Sequence, residues 1–268
     1  MKKEFKQYLI NQNFSNNTIN SYMYTFCQMH KMYNLSHITK KKLLNYKMYL
    51  IENNRPQTVN LRIRGINCYL ESIHKENLKL TTIKVQSRSY LENVISEADY
   101  EYLKKKLYKN DKFWYFVVRF MAATGARVSE LIQIKIEHVK IGYLDLYSKG
   151  GKLRRIYIPI KLKIEVLKWL SEKQLDSGFI FLNRFGKIIT PRGIATQLKN
   201  IAEKYGIDKK VVYPHSFRHR FAKNFLSKFN DISLLADLMG HESIETTRIY
   251  LRRTSTEQQK IINDIIDW

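Results

Sequence analysis

Apolar positions in the first eighty residues recur at helical spacing. Ile19, Tyr22, Phe26 and Met29 fall three or four apart, behind the cluster Ser15-Asn16-Asn17-Thr18. Such residues cap helix N-termini, because a side-chain oxygen can accept from a backbone N–H that the first turn leaves unpaired. Leu43, Leu44, Tyr46, Met48 and Leu50 populate a shorter helical segment over 40–51. Asn53-Asn54-Arg55-Pro56 interrupts the pattern, since proline disfavours helix at the residue before it. Thr58 is then expected to cap a third long helix. Leu61 or Ile63, with Ile66, Leu70 and Ile73, forms its apolar face, and Arg62 and Arg64 lie on the other.

Residues 81–93 show no clean period and contain Lys84 and Arg88, which fits a basic, extended linker. Ser96 followed by Glu97 and Asp99 marks a helix start, with the acids at the positive end of the dipole. Helices are expected near 97–108 and 112–123. Between 141 and 158 the pattern changes. Tyr143, Leu144, Leu146 and Tyr147 precede Gly150-Gly151, and Arg154 to Pro159 follow it, which is a hairpin signal. Helical spacing then returns through Leu170 and beyond. The expected fold is mainly α: a helical domain over 1–80, a linker over 81–95, and a mostly helical domain over 96–268 with a small antiparallel β-sheet. Ile261, Ile262, Ile265, Ile266 and Trp268 crowd into a tail helix over 258–268.

A chain of 268 residues, 44% hydrophobic, can bury a core without disulfides or metals. Its two cysteines, Cys27 and Cys68, sit in apolar helical patterns and read as reduced, buried thiols. The longest apolar stretch, Phe113 to Ala126, is broken by Arg119, and the N-terminus has no apolar signal region. A cytoplasmic protein without a membrane span is expected. Charge changes the picture more. Forty-seven basic residues against twenty-four acidic ones leave +23, a self-repelling excess that calls for a polyanionic partner. Residues 1–80 carry +9 of it and the remainder +14, so both domains are expected to touch the polyanion.

Four separated stretches carry candidate chemistry. They are Ala123-Thr124-Gly125-Ala126-Arg127-Val128-Ser129-Glu130-Leu131, the hairpin tip Ser148-Lys149-Gly150-Gly151-Lys152, Pro214-His215-Ser216-Phe217-Arg218-His219-Arg220, and Leu238-Met239-Gly240-His241 running on to Tyr250. Singly each has a bland structural reading. Together, in this order and spacing, they resemble the tyrosine recombinases of the phage-integrase family, relatives of bacterial Xer and phage Cre-type enzymes. The resemblance spans about 96–255 and extends more loosely to the first lobe, which resembles that family's SAM-like core-binding domain. No separate arm-binding domain is expected.

The resemblance implies a site-specific DNA recombinase encoded by a bacterium, phage or mobile element, working through a covalent 3′-phosphotyrosyl link and a Holliday junction within a tetramer on two DNA sites. It makes Tyr250 the nucleophile, His215 the acid/base partner close to it, and Arg127 and Arg218 the clamps on the phosphate. His241 would hydrogen-bond the phosphate and orient Tyr250. Lys149 would protonate the leaving 5′-oxygen, with Lys152 its competitor on the same turn, and Glu130 would brace the site. The residue types suit the chemistry. Forked guanidiniums neutralise charge building on phosphorus, and a phenol with a pKa near 10 needs help to ionise. No metal set, ATP-binding motif or cofactor is expected. Arg62, Arg64, Lys84, Arg88 and Lys152 are further candidates for DNA contact. A type IB topoisomerase-like nicking and resealing enzyme, or a catalytically silent DNA-binding regulator, are the alternatives. The tail helix is expected to dock on a neighbouring protomer.

Overall fold

A computed structural model describes residues 1–33, 37–85, 93–147, 153–241, 243–251, 259 and 262–266. The chain divides into two compact units, Met1–Ser87 and Arg88–Trp268.

Among its described residues, the first unit holds four α-helices, α1 (Lys2–Asn11), α2 (Asn16–Met32), α3 (Lys40–Asn53) and α4 (Pro56–Ser72), and a 3-10 turn, Glu76–Leu78. Ser15 Oγ accepts from Thr18 N at 3.2 Å, so the cap expected for α2 is in place. Helix α4 starts at Pro56 rather than at a Thr58 cap, and Thr58 N already donates to Arg55 O at 2.8 Å. Proline's fixed φ suits the first turn, where its missing N–H costs no helical bond. Ile63, fully buried, is the core residue of the expected pair, while Leu61 is exposed. The rings of Phe5, Phe26 and Tyr69 pack edge-on or tilted at the centre. Cys68 is buried and free, and burial pushes its thiol up to about 11. Two asparagines one apolar-repeat apart on α4 hold the chain that leaves the unit. Asn67 exchanges two hydrogen bonds with the backbone of Leu80, both 2.8 Å, and Asn60 does the same with Ile83 at 2.8 and 2.9 Å. The first residues of the expected linker are therefore docked on α4.

The second unit begins with α5 (Glu97–Asn110), capped by Ser96 Oγ accepting from Asp99 N, and α6 (Lys112–Thr124). Short helices α7 (Val128–Leu131) and α8 (Ile136–Ile141) lead to the antiparallel pair β1 (Tyr143–Tyr147) and β2 (Leu153–Tyr157), in register Tyr143 to Tyr157 and Tyr147 to Leu153. Then follow α9 (Ile160–Glu172), α10 (Pro191–Lys204), α11 (Pro214–Lys228), α12 (Ile232–Met239), α13 (Ile244–Arg248) and a 3-10 turn, Ile249–Leu251. Helix α6 is apolar almost all round and is the axis of the core, with Val117, Val118, Phe120 and Met121 fully buried. Arg119 pairs with Glu165 at 3.3 Å. The hairpin tip, with Lys149 and Lys152, lies outside the described residues, as does Arg88. Of the tail helix expected over 258–268, only 259 and 262–266 are described; Ile262, Ile265 and Ile266 are exposed. Among the described residues, no helix is long and apolar enough to cross a membrane.

Candidate active site

Two helix ends build the site. Helices α6 and α12 both stop at a glycine in the left-handed region, Gly125 (φ 64) and Gly240 (φ 60). A Cβ on Gly125 would lie 2.5 Å from the Phe221 ring, and one on Gly240 would lie 2.2 Å from Arg154 Cδ. Only glycine satisfies both demands at either place. The turn at Gly125 delivers Arg127 as the residue ahead of α7, and the turn at Gly240 delivers His241, whose N–H bonds back to Ala236 O at 3.0 Å.

The last carbonyls of a helix lack partners within it and carry its negative end. Here three successive ones on α12 each hold a different guanidinium. Leu238 O accepts from Arg154 Nη2 at 2.9 Å, Met239 O from Arg218 Nη2 at 2.6 Å, and Gly240 O from Arg127 Nη2 at 3.1 Å. Gly125 O takes Arg218 Nη1 at 2.5 Å. Glu130, almost buried, is shared: it accepts from Arg127 Nη1 at 2.8 Å, from the Arg127 backbone N at 2.7 Å and from Arg154 Nη1. Two arginines thus share one carboxylate, and Arg218 stands within reach of its charge. The crowding of positive charge shows in the titration of Arg218. Burial, then Arg127 and Arg154, pull Arg218 down to about 10. Arg127 is the most open of the three, and with Glu130, Arg154, Gly240 and His241 it lines a cleft of about 630 Å³.

Tyr250 comes in from the 3-10 turn with 7% of its surface exposed. Burial raises its hydroxyl pKa, and Arg218 and Arg127 pull the other way. His219 Nδ1 lies 3.2 Å from that hydroxyl. His215, expected beside Tyr250, is exposed one turn earlier on α11, with its ring 6.3 Å from that of His219. His241 lies with its ring nearly parallel to Tyr250, centroids 6.3 Å apart. Its Nε2 is 3.1 Å from Arg218 Nη2 and its Nδ1 is 2.7 Å from Thr247 Oγ1. A guanidinium only donates, so Nε2 accepts and the proton sits on Nδ1, donated to Thr247. Burial and the neighbouring arginines hold His241 down to about 4, its neutral form.

Of the candidates, Arg127, Glu130, Arg218, His241 and Tyr250 are gathered in one place within the second unit, with His215 at its open side. Lys149 and Lys152 fall outside the described residues. Arg62 is turned onto its own unit: it donates to Ser21 O at 3.2 Å and Thr25 Oγ1 at 3.1 Å, with its guanidinium 4.3 Å over the Tyr24 ring. Arg64 and Lys84 are exposed. Arg154, His219 and Thr247 were not anticipated. Each had a signal: Arg154 shares a strand face with Ile156, His219 follows His215 by one helical turn, and Thr247 precedes Tyr250 by three residues. Among the described residues, no group of three His, Cys, Asp or Glu side chains could hold a metal.

The phage integrase family model matches residues 90–257, the stretch that contains Arg127, Glu130, Arg154, His215, Arg218, His219, His241, Thr247 and Tyr250. The chain belongs to the phage integrase family. Its similarity to tyrosine recombinases runs nearly full length. It is 29% identical to tyrosine recombinase XerA of Pyrococcus furiosus, over 97% of this chain and 92% of the relative. With tyrosine recombinase XerD of Halalkalibacterium halodurans the identity is 27%, over 94% and 92%. The fold matches a Tn1549 transposon integrase solved in complex with transposon right-end DNA, with a TM-score of 0.73, 13% identity and 98% of each chain covered. This integrase-family chain is therefore a tyrosine recombinase in sequence and mainly α in fold, with the two-stranded sheet as its β element.

Proposed function

We propose that this chain is a site-specific DNA recombinase that cuts and rejoins double-stranded DNA through Tyr250, with no metal and no nucleotide cofactor. The observation that supports this best is the nucleophile's setting. A nearly buried hydroxyl stands beside the guanidiniums of Arg218 and Arg127, in a cluster of three arginines with one carboxylate, Glu130, that Arg127 and Arg154 share. That cationic excess matches a phosphodiester, whose negative charge otherwise repels an incoming oxygen. Arg127 and Arg218 take the non-bridging oxygens and neutralise the charge that grows on phosphorus. His241, held between Arg218 and Thr247 with its ring beside Tyr250, orients the nucleophile. His215, open to solvent, is the acid/base histidine on the phosphate side. Lys149, with Lys152 as its alternative, protonates the departing 5′-oxygen, and Glu130 braces Arg127. The relatives are recombinases, which favours recombination over topoisomerase-like resealing or silent binding.

The partner is duplex DNA, contacted through Arg64, Lys84, Arg88 and Lys152. Assembly is a tetramer on two sites passing through a Holliday junction. In that assembly the exposed isoleucines of the tail cover themselves on a neighbouring protomer. The domain division is 1–80 for core binding and 96–268 for catalysis, with 81–95 between.

The test uses a nicked suicide duplex carrying the sequence that the protein selects from a random pool. The wild type should accumulate a covalent protein–DNA adduct that survives denaturant. Tyr250→Phe should bind the same duplex in a gel shift and form none. An adduct with the Phe variant would overturn the assignment of Tyr250, and none with the wild type would overturn the mechanism.

A further inference from the structure

Among the described residues, His219 is the one histidine in hydrogen-bond contact with the Tyr250 hydroxyl. Its Nδ1 lies 3.2 Å from Tyr250 Oη, with the rings tilted by 51°. Tyr250 needs an acceptor. A phenol ionises near pH 10, and burial moves this one higher. Arg218 and Arg127 can stabilise a phenolate but, being donors only, cannot take the proton. His241 cannot take it either, because its Nε2 lone pair is occupied by Arg218 and its Nδ1 proton by Thr247. His215 sits beyond His219, ring centroids 6.3 Å apart, and among the described residues the hydroxyl's histidine partner is His219.

We propose that His219 is a catalytic residue, the general base that removes the Tyr250 proton as the tyrosine attacks phosphorus. This rests on the covalent mechanism proposed above. As the Oη–P bond forms, the Oη proton passes to His219 Nδ1. The P–O5′ bond breaks, its electron pair stays on O5′, and O5′ takes a proton from the lysine general acid. In rejoining, the incoming 5′-hydroxyl returns its proton to that lysine, now a neutral amine, as it attacks phosphorus. The departing phenolate then recovers its proton from the His219 imidazolium. Burial, His215 and Arg218 hold the ring down to about 4 in the DNA-free protein, so its lone pair is free at neutral pH. An anionic phosphate among the arginines raises ring basicity at the moment a base is needed.

The experiment separates proton acceptance from positioning. His219→Asn keeps an oxygen near the place of Nδ1 to accept the hydroxyl's hydrogen bond, but it cannot take the proton. On the suicide duplex it should form adduct about a hundredfold more slowly or worse, with site binding and melting temperature unchanged. Placing a more acidic, ring-fluorinated tyrosine at position 250 in that variant should restore most of the rate, because an acidic phenol needs less help. The same replacement in the wild-type background should change the rate little. Adduct formation by His219→Asn at the wild-type rate would overturn the proposal. So would a slow variant that fluorination leaves slow, since that marks a structural role, or rescue confined to His215→Asn. Failure of the wild type to form any adduct would instead sink the underlying mechanism.

Discussion

Thr247 is fully buried three residues before the nucleophile, and its hydroxyl holds His241 in one tautomer. The ring joins the nucleophile's own segment to Arg218 on α11, so it relates Tyr250 to the phosphate clamp. Thr247→Val keeps the shape and removes the acceptor. The Nδ1 proton is then unpaired, or it moves to Nε2 and faces a guanidinium donor; either costs about 1–3 kcal/mol locally. Adduct formation should slow by about 10–100-fold, the usual effect of losing a partner that orients an active-site ligand. Thr247→Ser, which keeps the oxygen, should retain most of the activity. Rates on the suicide duplex for the two variants side by side check this, and equal rates would show that the tautomer does not matter.

At the scale of elements, the C-terminus of α12 is the organiser, because three consecutive carbonyls hold three arginines. Gly240 makes that end possible. Gly142 is a matched control: its φ is 93, but nothing lies within 4 Å of an added Cβ. Gly142→Ala should pay only the left-handed backbone cost, about 1–2 kcal/mol, a loss of a few degrees in melting temperature. Gly240→Ala adds an overlap with Arg154 and must push that side chain off Leu238 O. It should melt lower than Gly142→Ala and lose cleavage, whereas Gly142→Ala should cleave normally. Much of this layer was legible in local pattern. The Ser15 and Ser96 caps and the hairpin around Gly150-Gly151 are signals a few residues long. The features that escaped are long-range. Asn60 and Asn67 find their backbone partners 23 and 13 residues away, and polar residues on a helix face look solvated until that pairing exists. Arg154 and Arg155 are neighbours of identical type, and only the pleat decides that Arg154 enters the site while Arg155 pairs with Asp145 on the surface. His219 meets Tyr250 across 31 residues. The motif order located the site, but which histidine touches the hydroxyl depends on the rotation of α11.

Over the whole molecule, a net charge of +23 makes the DNA-free protein strained where its cations converge. That strain should be readable as a pH dependence of stability. His219, facing His215, Arg218 and Tyr250, and His241, facing Arg218, Arg127 and Arg154, are each held down to about 4 in the folded state against 6.5 when free. Above about pH 6.5 both are neutral in either state and contribute nothing. As pH falls from 6.5 toward 4, the unfolded chain takes up protons that the folded chain refuses, so folding weakens across that window. Near pH 4 the folded rings protonate too, and their contribution stops growing. Glu130 acts lower still, because the paired arginines and its hydrogen bonds outweigh burial and depress its pKa below the usual carboxylate value. Melting temperatures between pH 7.5 and 4.5 should therefore decline, and the decline should flatten in a His219→Asn, His241→Asn double variant. Bound duplex should lessen it as well, since a phosphate among the arginines offsets the repulsion that adds to burial in keeping the rings neutral. An identical slope for wild type and double variant would show that these histidines are not what the cationic cluster strains.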